Sequence, residues 1–158
     1  MNKNVEIGSL IIRLVLGFTF LVHGFQKWQG GIENTVGFFD SLGIPGFMAY
    51  IVATIELVGG ILIILGLATR VIGALFIAVM LGAIFTAKLK SGFVGGFEFD
   101  IALIAMSAHL FLAGSQFLAL DKVVFKKKKL LFLFKKKAVN KKESLYSPNI
   151  SFQVSPAV

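Results

Sequence analysis

The chain has no cysteine in 158 residues. Disulfides, thiolate-held zinc or iron–sulfur clusters, and thiol redox chemistry by this chain are therefore excluded. Charge is scarce: Asp, Glu, Lys and Arg together make 15% of the residues, and only 8 are acidic. No glycine fingerprint for a dinucleotide occurs. What fills the chain is apolar: 56% hydrophobic residues, 17 phenylalanines and a mean hydropathy of +0.86. That is too apolar for an ordinary soluble domain of this size.

Four apolar segments, residues 7–25, 47–67, 71–87 and 97–118, each approach the roughly 20 residues that a helix needs to cross a bilayer. A soluble bundle would need a polar face on every helix, and residues 61–64 and 71–81 offer almost none. The expected fold is therefore all-α, an integral membrane bundle of four transmembrane helices spanning residues 1–121. The break at 26–46 carries Gly30–Gly31 and Pro45–Gly46, both strong turn signals. The break at Thr69 and Arg70 is so short that the second and third spans must form a tight antiparallel hairpin. The third break, 88–96, holds Lys88, Lys90 and three glycines. The first span reads as retained, because Arg13 interrupts it and no small-x-small cleavage site follows.

With four spans both termini share one side. That side carries Lys3, Arg70 and a tail in which residues 122–142 hold ten lysines. By the positive-inside rule both termini are cytoplasmic, which predicts a multi-pass protein of the bacterial cell membrane. The net charge of +8 comes mostly from the tail, 122–158, expected to be a basic cytoplasmic segment and partly disordered from Ser144 onward. Beside a hydrophobic domain, such a run attracts anionic lipid rather than nucleic acid.

Glu56 sits alone among apolar residues in the second span. A carboxyl group at that depth is expensive and marks either a functional interior or a buried partner. Arg13, His23 and His109 interrupt other spans. At a rise of about 1.5 Å per residue, Glu56 and His109 lie at similar depths near the midplane, and Arg13 lies lower with a side chain long enough to reach upward. An Arg13–Glu56–His109 cluster is therefore expected. It would hold the carboxylate ionised, add a group that titrates near neutrality, and bind a quinone carbonyl or a phenol. The same residues have plainer readings: a structural ion pair for Arg13 and Glu56, and a helix–helix hydrogen bond for His109. Lys27 reads as a lysine snorkelling to the interface, and Trp28 as an interfacial anchor. His23 and His109 differ in depth by about 8 Å or more, which rules against their sharing one haem.

Small residues accompany these groups. Gly17 follows Arg13 by four, and Gly59 and Gly60 follow Glu56 by three and four. Ala74, Ala78, Gly82 and Thr86 form a small-xxx-small ladder that would let helix backbones approach. Glu98, Ala102, Ala105, His109 and Ala113 form a stripe at helical spacing on the fourth span.

Several sequence pieces, in order, resemble the DoxX family of small bacterial four-helix membrane proteins. They are RLVLG at 13–17, FLVHGFQK at 20–27, Phe38–Phe39 with GIPG at 43–46, ELVGG at 56–60, LGL at 65–67 with Thr69–Arg70, GGFE at 95–98 and LALD at 118–121. The resemblance covers about residues 10–121 and is nearest to the family's catechol- and quinone-stress type. It implies a membrane oxidoreductase linked to quinones, catechols or oxidative stress. It also implies site residues at Arg13, His23, Lys27, Glu56 and Glu98. On residues and resemblance together, Glu56, Arg13 and His23 are the candidate catalytic residues, and His109, Lys27 and Glu98 the candidate substrate-binding residues.

No cofactor can be named from the sequence beyond a bound quinone. The implied partners are the lipid bilayer, a redox partner protein and a second copy of the chain. Two rival functions stay open. One is a non-catalytic membrane subunit anchoring a soluble redox protein, and the other is a proton-coupled efflux protein for phenolic compounds.

Overall fold

The computed structural model describes residues 3–114. All of them lie in the first of two units into which the chain divides, residues 1–122. The end of the fourth expected span and the basic tail lie outside the described residues.

Among the described residues five α-helices follow one another: α1 (Lys3–Gln29), α2 (Ile32–Ser41), α3 (Phe47–Leu65), α4 (Thr69–Ala83) and α5 (Glu98–Ala113). A π-helical turn, Ile84–Lys88, and a short 3-10 turn, Leu89–Ser91, prolong α4. A bent turn, Phe93–Phe97, leads into α5, with Val94 extended and Gly95 at φ +73°. Among the described residues four stretches are long and apolar enough to cross a membrane: Lys3–Gln29, Phe47–Leu65, Thr69–Ser91 and Phe93–Ala113. The large apolar side chains they leave exposed, such as Phe18, Ile61, Val71, Phe85 and Leu112, suit contact with lipid. Thr19, Thr54 and Thr86 each hydrogen-bond the carbonyl four residues earlier, at 2.9, 2.7 and 2.7 Å. Their hydroxyls are thereby satisfied within their own helices.

The hairpin expected at Thr69 and Arg70 is present, and its chemistry is local. Gly66 takes the left-handed conformation, φ 69° and ψ 37°. The Leu67 N–H then donates to the Leu62 carbonyl at 2.8 Å and the Gly66 N–H to Ile63 at 3.0 Å. This pair of bonds closes the helix end, and a glycine adopts the required backbone at little steric cost.

Helix α2 lies where a turn was expected. The glycine signals at 30–31 and the proline at 45 do bound it, but the ten residues between them form a helix. That stretch is too short to register as a span, and Asp40, Glu33 and Asn34 hide its apolar side.

Packing is tightest between α1 and α3, and between α4 and α5. The first pair meets through glycine. A Cβ on Gly24 would lie 2.4 Å from the Leu57 backbone nitrogen, and one on Gly60 would lie 2.7 Å from the Gly17 carbonyl oxygen. Neither position tolerates a side chain without moving a helix. The ladder on α4 does not take part: Ala74, Ala78, Gly82 and Thr86 are exposed, and nothing lies within 4 Å of a Cβ placed on Gly82. The core between the helices is built from Leu16, Phe20, Ile63, Ile72, Phe76, Met80, Leu103 and Leu110.

Candidate functional site

Helices α3 and α4 are joined by the hairpin yet touch only sparsely. A cavity of about 920 Å³ occupies the space between them at the α2 end of the bundle. Residues of α2, among them Asn34, Thr35, Phe38 and Phe39, roof it, and Phe20 and Leu103 line its deeper wall. Ile51, Ile55 and Leu75 line both this cavity and a groove of about 450 Å³ on the outer face between α3 and α4. These three side chains stand between the cavity and the outer groove.

The α1 wall follows helical arithmetic. Phe20, His23 and Lys27, at i, i+3 and i+7, all face the cavity. Glu56, at the middle of α3, is 3% exposed. Its Oε2 accepts a hydrogen bond from the Lys27 Nζ and pairs with it as ions. The Lys27 side chain keeps 26% of its surface exposed against 4% for Glu56. The carboxylate is thus the buried anchor and Lys27 the more open partner, and both residues line the cavity. His23 stands beside them and faces Phe99 across the cavity mouth, with ring centroids 6.2 Å apart.

This corrects the expected Arg13–Glu56–His109 cluster. Gly24 packs on the Glu56–Leu57 backbone, which fixes the register of α1 against α3. Arg13 lies eleven residues further along α1, or about 16 Å, beyond the reach of its side chain. Lys27, read as an interfacial lysine, takes the place given to Arg13. Arg13 is buried at 3% exposure, near the other end of the bundle. His109 is there too, and its Nε2 shares a 2.9 Å hydrogen bond with the Ser9 Oγ. That is the plain helix–helix contact, and it lies about 22 Å of helix from the level of Glu56. Neither residue lines the cavity.

The stripe on α5 is also on the wrong face. The buried side of α5 is Asp100, Leu103, Ser107 and Leu110. Glu98 is exposed and accepts a hydrogen bond from the Gly95 N–H at 3.1 Å, steadying the bend before the helix. The buried carboxylate is Asp100, 2% exposed. Both its oxygens accept from the Lys88 Nζ, at 2.9 and 2.7 Å. Lys88 and Asp100 line the same cavity as Lys27 and Glu56. The sequence places Lys88 in the third break and Asp100 near the start of the fourth span, and gives neither a role. The available signal was the setting of Asp100 between Phe99 and Ile101, which is no surface environment.

The DoxX family model matches residues 8–89, from α1 through the π-helical turn. The chain belongs to the DoxX family. The matched stretch contains His23, Lys27, Glu56 and Lys88. Among DoxX-like relatives, the chain is 55% identical over 129 residues to "Putative oxidoreductase CatD" of Bacillus subtilis (strain 168), covering 82% of this chain and 96% of that one. It is 39% identical over 90 residues to "Uncharacterized membrane protein Rv3486" of Mycobacterium tuberculosis, covering 56% of this chain and 55% of that one. It is 33% identical over 70 residues to "Inner membrane protein YqjF" of Escherichia coli, covering 44% and 53%. The chain thus spans nearly all of the Bacillus protein and about half of the other two. No solved structure matches it. The family, these membrane-protein relatives and the four apolar helices make this a multi-pass bacterial membrane protein.

Proposed function

We propose that the cavity under α2 binds a quinone or catechol, and that the protein is a membrane oxidoreductase acting on that ring. One observation carries the reading. An apolar cavity of about 920 Å³ meets a buried carboxylate, Glu56, that holds the Lys27 ammonium at its wall, with the His23 imidazole beside it. A flat apolar ring bearing oxygen suits such a space. The ring lies against Phe20 and Leu103, and the oxygen accepts from Lys27.

Reduction of a quinone to a hydroquinone takes up two electrons and two protons. His23 and the Lys27 ammonium are the groups positioned to deliver protons to the ring oxygen. Glu56 holds the Lys27 side chain in place. The electrons must come from a second molecule, either a reduced cofactor or a redox partner protein, since the chain has no thiol of its own. The printed name of the Bacillus relative, an oxidoreductase, supports the reaction class. In the orientation proposed from the lysine distribution, with both termini cytoplasmic, the cavity lies in the outer half of the membrane, and the proposed route of entry from the bilayer runs between α3 and α4, past Ile51, Ile55 and Leu75.

The test is ring binding and reduction by the purified full-length protein in liposomes, with a set of electron donors and with any bound cofactor read by absorbance and mass spectrometry. Wild type is compared with Glu56→Gln and with the charge-neutral double variant Lys27→Met/Glu56→Gln. Binding by wild type, with turnover falling about 100-fold or more in the variants while they still fold, is the expected result. Absence of both binding and turnover in wild type overturns the reading, and leaves the membrane-anchor function as the one to pursue.

A further inference from the structure

The cavity has two charged pairs on its walls, and only the first enters the reading above. The second, Lys88–Asp100, is built to the same plan on different helices. In each pair a nearly buried carboxylate holds the ammonium of a lysine that keeps part of its surface open. The lysine side chains are 26% and 40% exposed, against 4% and 3% for their carboxylates. An ammonium has three protons. Asp100 takes two from Lys88, and Glu56 takes one from Lys27. Each lysine therefore retains at least one donor not used by its carboxylate.

The backbone of α4 also bends to this end. Its buried face runs Ile72, Phe76, Met80, Ile84, at four-residue steps. An α-helix turns about 100° per residue, so each such step overshoots by about 40°. The overshoot would carry a residue at 88 off that face. The π-helical turn at Ile84–Lys88 accommodates one more residue per turn and offsets the drift. Lys88 is thereby brought onto Asp100 in the first turn of α5.

We propose that Lys88, positioned by Asp100, is a second oxygen-recognition point of this cavity. On this account the site selects aromatic rings that bear two oxygen substituents, as quinones, hydroquinones and catechols do, over rings that bear one. The inference rests on the reading of the cavity as a ring-binding site and adds its specificity. Lys27 meets one oxygen and Lys88 the other. Two cationic donors also favour the ring when negative charge builds on both oxygens. Asp100 is a positioning residue, acting only through Lys88.

The experiment measures binding of a short-tailed hydroquinone and of the matched monophenol to the full-length protein in lipid nanodiscs. Three proteins are compared: wild type, Lys88→Met, and Lys88→Met/Asp100→Asn, which removes both charges so that no carboxylate is left buried alone. Thermal unfolding checks that each folds. The expected result is a preference of wild type for the hydroquinone of about tenfold to a hundredfold, the range for a hydrogen bond from a charged donor. In both variants that preference disappears while monophenol affinity stays within about twofold. Retention of the preference in the double variant overturns the proposal and leaves Lys88–Asp100 a strut between α4 and α5. Equal loss of both ligands in a folded variant overturns it as well. If wild type binds both ligands equally, this proposal fails while the ring-binding reading survives. If wild type binds neither, both fail.

Discussion

Phe20 and Phe76 stack face to face, with ring centroids 3.6 Å apart and 12° between their planes. The stack joins α1 to α4 across the core and separates two polar layers. On the α2 side lie His23, Lys27 and Glu56; on the other lie Ser9, Arg13 and His109. Leu16 and Ile63, both fully buried, complete the partition. Among the described residues this apolar layer stands between the two polar ones, an arrangement that suits chemistry confined to the cavity better than proton-coupled efflux.

Phe76→Ala should therefore be costly. Packing, rather than escape from water, holds helices together in lipid, so the low end of the usual range for Phe→Ala applies, about 3 kcal/mol. Unfolding monitored by circular dichroism in detergent should show it as a clear drop in midpoint. An unchanged midpoint would mean that the stack does not hold α1 to α4.

Much of the fold is readable in the sequence because span length and apolar composition dominate in a membrane protein. The residue that marks the candidate site, Glu56, is also readable, since one carboxyl in an apolar run stands out. Helix phase is not. Both the lipid face and the core face of α5 are apolar, so hydropathy has no direction on it, and a stripe through Glu98 and His109 looked as plausible as the true inner face through Asp100 and Ser107. Partners across helices are equally hidden. Whether Glu56 meets Arg13 or Lys27 depends on the sliding register of α1 against α3. Gly24 and Gly60 set that register, and their contacts become visible only when the helices are assembled. The π-helical turn that aims Lys88 has no sequence signature either.

The Lys27–Glu56 pair yields a double-mutant cycle. Lys27→Met leaves a carboxylate nearly buried without its counter-ion, and Glu56→Gln leaves an ammonium without its anchor. Each should destabilise by about 2 kcal/mol, below the usual cost of breaking a fully buried pair because Lys27 is partly open to solvent. The double variant should recover much of the loss, giving a coupling of about 1–2 kcal/mol. Strictly additive losses in a chemical unfolding titration would show that the two side chains do not depend on each other.

Two glycines on different faces should respond oppositely to one added methyl group. Gly24→Ala drives a Cβ into the Leu57 backbone at 2.4 Å, where no rotamer change can relieve it. A loss of about 1–3 kcal/mol is expected from overpacking. Gly82→Ala meets nothing within 4 Å and replaces a poor helix former, so it should be neutral or stabilising by up to about 1 kcal/mol. Thermal unfolding of the two variants in the same detergent decides the matter. A large loss for Gly82→Ala would mean that the ladder Ala74, Ala78, Gly82 and Thr86 packs against a second copy of the chain.

The proposed entry between α3 and α4 makes a kinetic prediction. Leu75 is partly exposed on α4 and belongs to both the cavity wall and the outer groove. With Ile51 and Ile55 on α3 it forms the rim through which a lipid-dissolved ring would pass. Leu75→Trp adds bulk at that rim and touches none of the charged pairs. Uptake of a long-tailed quinone from the bilayer should slow by about tenfold, within the one to three decades over which association rates vary among variants of one site. Binding of a short water-soluble quinone at equilibrium should change little, because the contacts proposed for it with Lys27 and Phe20 are not altered. Stopped-flow quenching of Trp28, with Trp28 replaced in a control, would follow uptake of both. If the variant takes up the long-tailed quinone as fast as wild type, entry does not run between α3 and α4. The remaining route would then be past α2, and substitutions at Phe38 should slow it instead.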